Sequence, residues 1–278
     1  MVSIICLGKW KLTTSVASLD RKMTVSVLQG NITTRPHGAS IVSVIGEYTK
    51  LCLASPPGLC LWAEWSFPFN IRRFHFLKGF LDQARQYKQD WIMGVIDTDK
   101  GALYNSACAI SSEGRLLPEI YHKRYLVPIG EYIPWWIQIS PLAFLFGTCT
   151  PLSDGFSSGS DAVVYQFDQA RIAPVICFES LSPEIVASSV RKGGEILVNL
   201  SNTAWFRSSM IGDQMVSFCV LRAAETHRSF AFATAIGPSV MVDPQGKILR
   251  ISARNEKVLM TEPMPVESDL TPFARFCR

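Results

Sequence analysis

The sequence predicts a mixed α/β fold for a chain of 278 residues. Short apolar runs of strand type alternate with segments whose apolar residues recur at helical spacing, which is typical of sheets covered by helices. Strand pairs joined by tight turns interrupt this alternation, so mixed sheets are expected. A hydrophobic content of 48% with only 18% charged residues indicates a globular chain with a large core.

The first half of the chain starts with a strand. Residues 22–29 alternate polar and apolar side chains, and Gly30 and Asn31 end the pattern. The elements that follow are a helix at 38–50, a strand at 59–62, a helix at 72–89, a strand at 91–96 and a hairpin of 103–110 with 115–120. Residues 135–160 then form a long stretch without periodicity.

The alternation resumes in the second half. The predicted elements are a strand at 171–176, a helix at 183–192, a strand at 195–199, a helix at 209–227, paired strands at 230–235 and 238–242, and two further short strands. A turn at 243–246 separates the last pairs. This order of elements predicts the α/β class but not the number of layers.

Composition excludes several classes of function. A net charge of +4 is too small to predict a nucleic-acid-binding protein. The eight cysteines contain no C-x-x-C pair and no zinc-ligand spacing, so free thiols are predicted rather than disulfides or a metal site. No metal and no organic cofactor is implied.

The longest apolar stretch, residues 132–147, is interrupted by Pro134 and Pro141, and at about 16 residues it is shorter than a membrane-spanning helix. No spanning helix is therefore predicted. Within it, residues 135–147 carry Trp135 and Trp136 and a second aromatic run. We expect a mobile, lipid-facing loop there, and the alternative is a buried apolar loop.

One cysteine stands at a predicted strand-to-helix junction. Cys177 follows the apolar run 171–176, and Ser182 and Pro183 fit an N-cap and the first helical position. A thiol beside the positive end of a helix dipole is expected to favour the reactive thiolate. The residues alone support a catalytic nucleophile and a core thiol equally.

Two other motifs supply groups that such a nucleophile needs. Glu64 lies between Trp62 and Trp65 at the end of a predicted strand, and a desolvated carboxylate is suited to exchange protons with a thiol. Lys123 follows later, and an ammonium group stabilises the oxyanion of a tetrahedral intermediate. Taken singly, each residue also fits an ordinary position: a glutamate at a rim and a lysine in a surface loop.

Three segments in this order resemble the nitrilase, or carbon–nitrogen hydrolase, superfamily, whose members use a Glu, a Lys and a Cys. They are LWAEWSFP at 61–68, YHKRYLVPIGEYIP at 121–134 and RIAPVICFES at 171–180. With LSNTAWF at 200–206 and DLTPFARF at 269–276, the second segment is most similar to the catalytic domain of apolipoprotein N-acyltransferases. The resemblance runs from about residue 23 to the C-terminus and implies a four-layer α-β-β-α sandwich.

The resemblance also implies roles for single residues. Cys177 would be the nucleophile, Glu64 the proton carrier and Lys123 the oxyanion partner, and the three are expected to meet in one pocket. Glu131 and Glu179 would support them. Substrate contacts are expected from five residues in or near the motifs: Trp62, Trp65, Phe178, Asn202 and Trp205.

The implied activity is transfer of a phospholipid acyl chain, through a cysteine thioester, to the N-terminal amine of a bacterial lipoprotein. Phospholipid, lipoprotein and the membrane surface are therefore the expected partners, and nucleic acid is not. The resemblance places such a domain on the periplasmic side of the bacterial inner membrane. Residues 1–22 would be a lead-in, as a remnant of a membrane linker, and residues 23–278 the catalytic domain.

Two alternatives stay open. A soluble nitrilase-type amidase would use the same three residues with water as the acceptor, and the lack of a predicted spanning helix favours it. A truncated, inactive homologue is supported by four departures from the family pattern. Thr203 and Arg207 stand where the family commonly has Asp and Gly, and Met215 and Ala235 stand where it has His and Asn.

Overall fold

The computed structural model describes residues 21–32, 40–134, 155–206 and 210–277. The predicted lipid-facing loop at 135–147, Arg207 and nearly all of the predicted lead-in at 1–22 lie outside these residues. The proposed domain boundary near residue 23 stays a prediction. In the described parts of the chain, no helix combines the length and the apolar character that crossing a membrane requires.

Across the described residues, thirteen strands and five α-helices form the fold. The strands are β1 (Lys22–Gln29), β2 (Gly58–Leu61), β3 (Gln89–Asp99), β4 (Ala102–Ser111), β5 (Arg115–Leu116), β6 (Tyr121–His122), β7 (Tyr165–Gln166), β8 (Arg171–Ile176), β9 (Ile196–Ser201), β10 (Ser229–Thr234), β11 (Val240–Val242), β12 (Ile248–Ile251) and β13 (Val258–Pro265). The helices are α1 (Ile41–Leu53), α2 (Leu77–Tyr87), α3 (Pro183–Arg191), α4 (Ile211–Thr226) and α5 (Pro272–Phe276).

The strands build two mixed sheets. The first has the order β13-β1-β2-β3-β4-β5, with β6 also paired to β4, and β1, β2 and β3 run parallel. The second has the order β12-β11-β10-β9-β8-β7, with β8, β9 and β10 parallel. Parallel strands end at the same edge of a sheet, so the residues after β2 and β3 lie together, as do those after β8 and β9.

The sheets pack face to face, and helices cover the outer faces. Helices α1 and α2 pack on the first sheet, while α3 and α4 pack on the second. One apolar cluster fills the space around the second sheet and between the two sheets, and another lies between the first sheet and its helices. The predicted α/β class and the implied four-layer sandwich are confirmed.

Strand β2 supplies residues to both clusters. Leu59 and Leu61 belong to the cluster between the sheets, whereas Cys60 and Trp62 belong to the cluster beneath the helices. This is the period of two that a strand imposes on its side chains. Glu64 lies three residues after the end of β2, so the strand fixes where its backbone emerges.

The predicted helix at 72–89 is too long at both ends. Residues Ile71–Arg73 form a 3₁₀ turn, and α2 begins only at Leu77. At its other end, Lys88 takes a left-handed conformation with φ 54° and closes the helix. The following strand therefore begins earlier than predicted, at Gln89.

Candidate active site

Cys177 stands at a sharp bend after β8. Its backbone has φ 55°, a left-handed conformation that L-residues other than Asn and Asp seldom adopt. A 3₁₀ turn, Cys177–Leu181, follows it and leads to α3, whose N-cap is Ser182 with Pro183 at the first turn. Asn199 on β9 donates a hydrogen bond from Nδ2 to the Cys177 carbonyl at 3.0 Å. The predicted junction and its cap are confirmed, and the bend is held from the neighbouring strand.

The thiol itself is buried, with 5% of its residue surface exposed. Burial and the neighbouring carboxylate of Glu64 raise the pKa of the Cys177 thiol to about 12, against the lowering effect of Lys123. The expectation of a resting thiolate is therefore wrong. Burial of the thiol away from water has the largest effect on its pKa. The α-helix whose dipole was expected to stabilise the thiolate begins only at Pro183. This thiol needs a base when it reacts.

Glu64 is buried and is held by three hydrogen bonds. Its Oε1 accepts from Asn105 Nδ2 at 2.7 Å and from Lys123 Nζ at 3.4 Å, and its Oε2 accepts from the Asn202 backbone N–H at 2.8 Å. The backbone after β2 also packs closely on Gly94 of β3. A Cβ atom there would lie 2.7 Å from the Glu64 Cα, so only glycine fits. The carboxylate is thus fixed in position.

Lys123 is 1% exposed and lies between two carboxylates. Its Nζ contacts Glu131 at 2.9 Å and Glu64 at 3.4 Å. Burial alone would lower the pKa of Lys123, but the negative charges of Glu64 and Glu131 raise it above its ordinary value. The side chain is therefore a permanent cation in a dry site.

Asn105 on β4 is the site residue that the sequence analysis missed. Its Nδ2 donates to both Glu64 Oε1 and Glu131 Oε1, each at 2.7 Å. It is fully buried, and its Oδ1 has no hydrogen-bond partner among the described residues. A lone asparagine inside an apolar strand costs free energy unless its polar groups are paired, and that was the signal available in the sequence.

Glu179 joins the Lys123 segment to the Cys177 bend. Its Oε2 accepts from the Ile176 N–H at 2.6 Å and from the Tyr121 hydroxyl at 2.7 Å. Its Oε1 accepts from the Arg124 N–H at 2.6 Å. Burial raises the pKa of Glu179 above its ordinary value. A fully buried carboxylate thus connects the backbones on either side of the site, which fits the supporting role expected for it.

One cavity of about 170 Å³ brings these groups together. Its described lining residues are Glu64, Trp65, Lys123, Val127, Gly130, Glu131 and Cys177. The three residues expected to converge do so in spite of their separation along the chain. A proton acceptor, a cation and a thiol around one small space have the composition that acyl transfer requires.

The structure places some of the expected substrate contacts at the cavity and others away from it. Trp65 lines the cavity, but the interpretation of Trp62 is wrong. Its ring is completely buried on the other face of the first sheet, where it packs 5.5 Å from the Tyr48 ring and 5.8 Å from the Trp91 ring. Alternation along β2 directs it beneath the helices. Phe178 packs half-buried against the core and is absent from the described lining.

The segment after β9 contributes through its backbone. Asn202 donates its N–H to Glu64, while its own side-chain Oδ1 accepts from the Ala204 N–H at 3.2 Å. Its observed part in the site is therefore to position Glu64, and contact with substrate stays a prediction. The side chain of Trp205 lies outside the described residues.

Three of the four departures from the family pattern fit the fold. Thr203 is buried and donates from Oγ1 to the Gly237 carbonyl at 3.0 Å. Met215 and Ala235 are buried among apolar side chains. None of the three belongs to the described lining of the cavity. Within the described residues, no group of His, Cys, Asp and Glu is arranged to hold a metal ion.

The sequence model of the carbon-nitrogen hydrolase family matches residues 43–267. Curated relatives include the apolipoprotein N-acyltransferase of Synechocystis sp., which is 29% identical over 92% of this chain and 50% of the relative. That of Nitrosomonas europaea is 30% identical over 82% of this chain and 46% of the relative. The chain spans about half the length of these curated relatives.

Solved structures of similar fold include an amidase from Nesterenkonia sp., with a TM-score of 0.67 at 16% identity over 93% of this chain and 94% of that one. A nitrilase-superfamily protein of Saccharomyces cerevisiae has a TM-score of 0.66 at 16% identity, and the match covers 89% of this chain and 91% of the yeast protein. A mutant of the amidase from Nesterenkonia sp. AN1, also similar in fold, shows the acetamide moiety of fluoroacetamide covalently added at its active-site cysteine. The two-sheet architecture agrees with these structures, and since the family model matches most of the sequence, the chain belongs to the carbon-nitrogen hydrolase family.

Proposed function

We propose that this chain is an acyltransferase that moves an acyl chain from a phospholipid to the N-terminal amine of a bacterial lipoprotein. The observation that carries the proposal is the cavity shared by Glu64, Lys123 and Cys177. The similarity to apolipoprotein N-acyltransferases over most of this chain supports the acyl-transfer chemistry over amide hydrolysis.

In the first half-reaction, Glu64 takes the proton of the Cys177 thiol as sulfur attacks the ester carbonyl carbon of the donor. The negative charge that develops on the carbonyl oxygen is stabilised by the Lys123 ammonium. The ester C–O bond then breaks, and Glu64 returns the proton to the leaving alcohol, a lysophospholipid. The acyl group is left as a thioester on Cys177.

In the second half-reaction, the free α-amine of the lipoprotein attacks the thioester. Glu64 accepts a proton from the attacking amine and delivers it to the leaving sulfur, which regenerates the thiol. Lys123 again stabilises the oxyanion. Glu131 holds Lys123 in place throughout by accepting from its ammonium group, and Asn105 holds Glu64 and Glu131 by donating to both carboxylates.

The donor lies in a bilayer, so the proposed site works at a membrane surface. The resemblance implies the periplasmic side of the bacterial inner membrane. The donor enters a cavity with apolar walls, to which Trp65 and Val127 contribute. We place the catalytic unit at residues 23–278; β1 begins at Lys22, one residue before this boundary.

The test is incubation of the full chain with phosphatidylethanolamine vesicles and a diacylglyceryl-cysteine peptide. Intact-mass spectrometry is expected to find an acyl adduct on Cys177 before the peptide is added and an N-acylated peptide afterwards. A peptide whose α-amine is acetylated is the matched control and should leave the adduct in place. Hydrolysis of simple amides without acyl transfer to the peptide would instead identify the protein as an amidase.

The double role proposed for Glu64 predicts opposite effects of Glu64→Gln on two reactions of Cys177. Alkylation by iodoacetamide needs only the thiolate, and the Glu64 charge raises the pKa of that thiol. Removing the charge is expected to speed alkylation by about tenfold for each unit by which the pKa falls. Thioester formation needs the proton acceptor and should fall by about 10²- to 10⁴-fold.

Both rates are measured at one pH below 9 on the same preparation, by mass spectrometry of the Cys177 peptide. Glu113→Gln is the matched control, because Glu113 is an exposed residue in the turn between β4 and β5. It should leave both rates unchanged. If Glu64→Gln slowed alkylation and thioester formation alike, the charge of Glu64 would not be a cause of the raised pKa of the Cys177 thiol.

A further inference from the structure

Residues 69–78, which follow Glu64 in the chain, expose aromatic and basic side chains side by side. Phe69 is 38% exposed and Phe76 is 72% exposed, the latter among the most exposed large hydrophobic residues described. Arg72, Arg73 and Lys78 are exposed in the same segment. We call these five residues the Phe/Arg surface. Apolar rings left in water beside cations indicate a binding surface rather than a solvated face.

The aromatic rings of this segment pack against one another. The Phe74 ring lies between its neighbours, 4.8 Å from the Phe67 ring and 5.8 Å from those of Phe69 and Phe76. Below it, Asn70 caps the 3₁₀ turn by accepting from the Arg72 N–H at 3.0 Å. The aromatic residues are thus presented by a packed scaffold, so a partner that covers them need not first order the chain.

The segment that carries these rings has charges of one sign. Residues 68–81 contain three basic residues and His75 but no Asp or Glu. Of the neighbouring acidic groups, Asp82 pairs with Lys78 at 2.9 Å and Asp97 accepts from Asn70 at 2.8 Å, while Asp99 lines the cleft that Arg72 and Arg73 also line. Among the described residues, no side chain caps the N-terminus of α2, which adds a positive end to the same place.

The Phe/Arg surface lies next to the active site. It follows Glu64 directly in the chain, at the edge where the parallel strands β2 and β3 end. Arg72 and Arg73 share an open cleft of about 400 Å³ with His122, the residue before Lys123. Whatever covers this surface therefore lies close to the catalytic cavity.

We infer that the Phe/Arg surface binds the face of a bilayer containing anionic phospholipid, with Phe69 and Phe76 entering the interfacial region and the cations facing lipid phosphates. Exposed aromatic rings flanked by Arg and Lys match the polarity of that interface. The inference rests on the proposed function, because a donor held in a bilayer requires the site to reach it. It names which face of the protein does so.

The experiment measures flotation of the full chain with vesicles of phosphatidylethanolamine and phosphatidylglycerol. The test variant combines Arg73→Gln, Phe76→Ser and Lys78→Gln. Each basic residue near an anionic surface contributes about fivefold in affinity, so the variant should bind at least about 25-fold more weakly. Binding of the unmodified chain should also fall with added salt and on vesicles of phosphatidylcholine alone.

The matched control makes the same three kinds of change at exposed residues of the other sheet: Lys247→Gln in the turn before β12, and Arg250→Gln and Ile251→Ser on β12. It should bind vesicles like the unmodified chain. Binding of the test variant at full strength would overturn the inference. So would a dimer of the unmodified chain that the test variant converts to a monomer, since the surface would then pair two copies.

Two readouts separate this inference from the proposed function. Cys177→Ala should bind vesicles normally and form no thioester. The Phe/Arg variant should lose vesicle binding and still form a thioester from a water-soluble short-chain ester. If it lost both, the surface would be acting through the fold of the site and the inference would fail. If the unmodified chain bound vesicles through this surface but formed no thioester, the proposed function alone would fail.

Discussion

Cys177→Ala is expected to abolish acyl-thioester formation and to lower acyl transfer by about 10⁴-fold or more. Both half-reactions pass through the sulfur, and removing the nucleophile of a covalent mechanism leaves only substrate binding and oxyanion stabilisation. The measurement is intact-protein mass spectrometry after incubation with an acyl donor, followed by peptide mapping. The fold should persist, because the change removes a single buried atom.

Two other buried cysteines provide controls. Cys108 and Cys219 are fully buried, and burial raises the pKa of both thiols, that of Cys108 to about 12. Their replacement by alanine should lower stability modestly and leave the adduct on Cys177. The pKa is raised for all three thiols and does not distinguish Cys177 from the other two. The prediction that Cys177 carries the adduct therefore rests on its position in the cavity with Glu64 and Lys123. An adduct on Cys108 or Cys219, with Cys177 unmodified, would contradict the assignment.

The backbone at Cys177 predicts a further difference between two inactive variants. At φ 55°, a residue with a Cβ atom is strained by about 1 kcal/mol, whereas glycine is not. Cys177→Gly should therefore have a free energy of unfolding about 1 kcal/mol higher than Cys177→Ala, in chemical denaturation. Equal stability would mean that the bend stores no strain. Strain at a non-glycine residue is typical of sites where function determines the side chain.

Local signals in the sequence were sufficient for the bend itself. An apolar run ending at Cys177, followed by Ser182 and Pro183, predicts a strand, a turn and a capped helix, and the structure has all three. Each of these features depends on residues within one or two turns of one another. The electrostatics of the thiol depend on burial and on Glu64, which is distant in sequence, and the prediction of a thiolate failed for that reason.

Trp62 shows a second limit. The period of two along β2 correctly groups Trp62 with Cys60 and separates it from Leu61. It does not say which face of the sheet meets the other sheet and which meets the helices. Proximity to Glu64 in the chain therefore suggested a substrate contact, whereas the side chain is buried on the opposite face. Only the packing of α1 and α2 on the first sheet decides the matter.

Asn105 shows a third limit of prediction from the sequence. Its two donor bonds reach Glu64 and Glu131, which lie on different segments far from it in sequence. One asparagine in a largely apolar strand has no periodicity and no motif, so pattern analysis passes over it. Its importance follows from the site that it completes, since it donates to Oε1 of both carboxylates, the same oxygens that accept from Lys123.

Lys123→Met is expected to lower the free energy of unfolding by about 3–5 kcal/mol and thioester formation by about 10²- to 10³-fold. Lys123 is fully buried and neutralises two buried carboxylates, so its loss leaves Glu64 and Glu131 without a cation. The measurements are urea denaturation and intact-mass kinetics. Lys247→Met, at an exposed position in the turn before β12, is the control and should change stability by less than about 0.5 kcal/mol.

A second replacement separates the two roles of Lys123. In Lys123→Met with Glu131→Gln, one of the two unpaired charges is gone, so part of the lost stability should return. The return is partial because the amide oxygen can keep only one of the two bonds that Glu131 accepts from Asn105 and Val127. Thioester formation should not return, since no cation faces the oxyanion. Recovery of both would show that Lys123 serves only the fold, and full stability of the single variant would show that the two carboxylates do not need its charge.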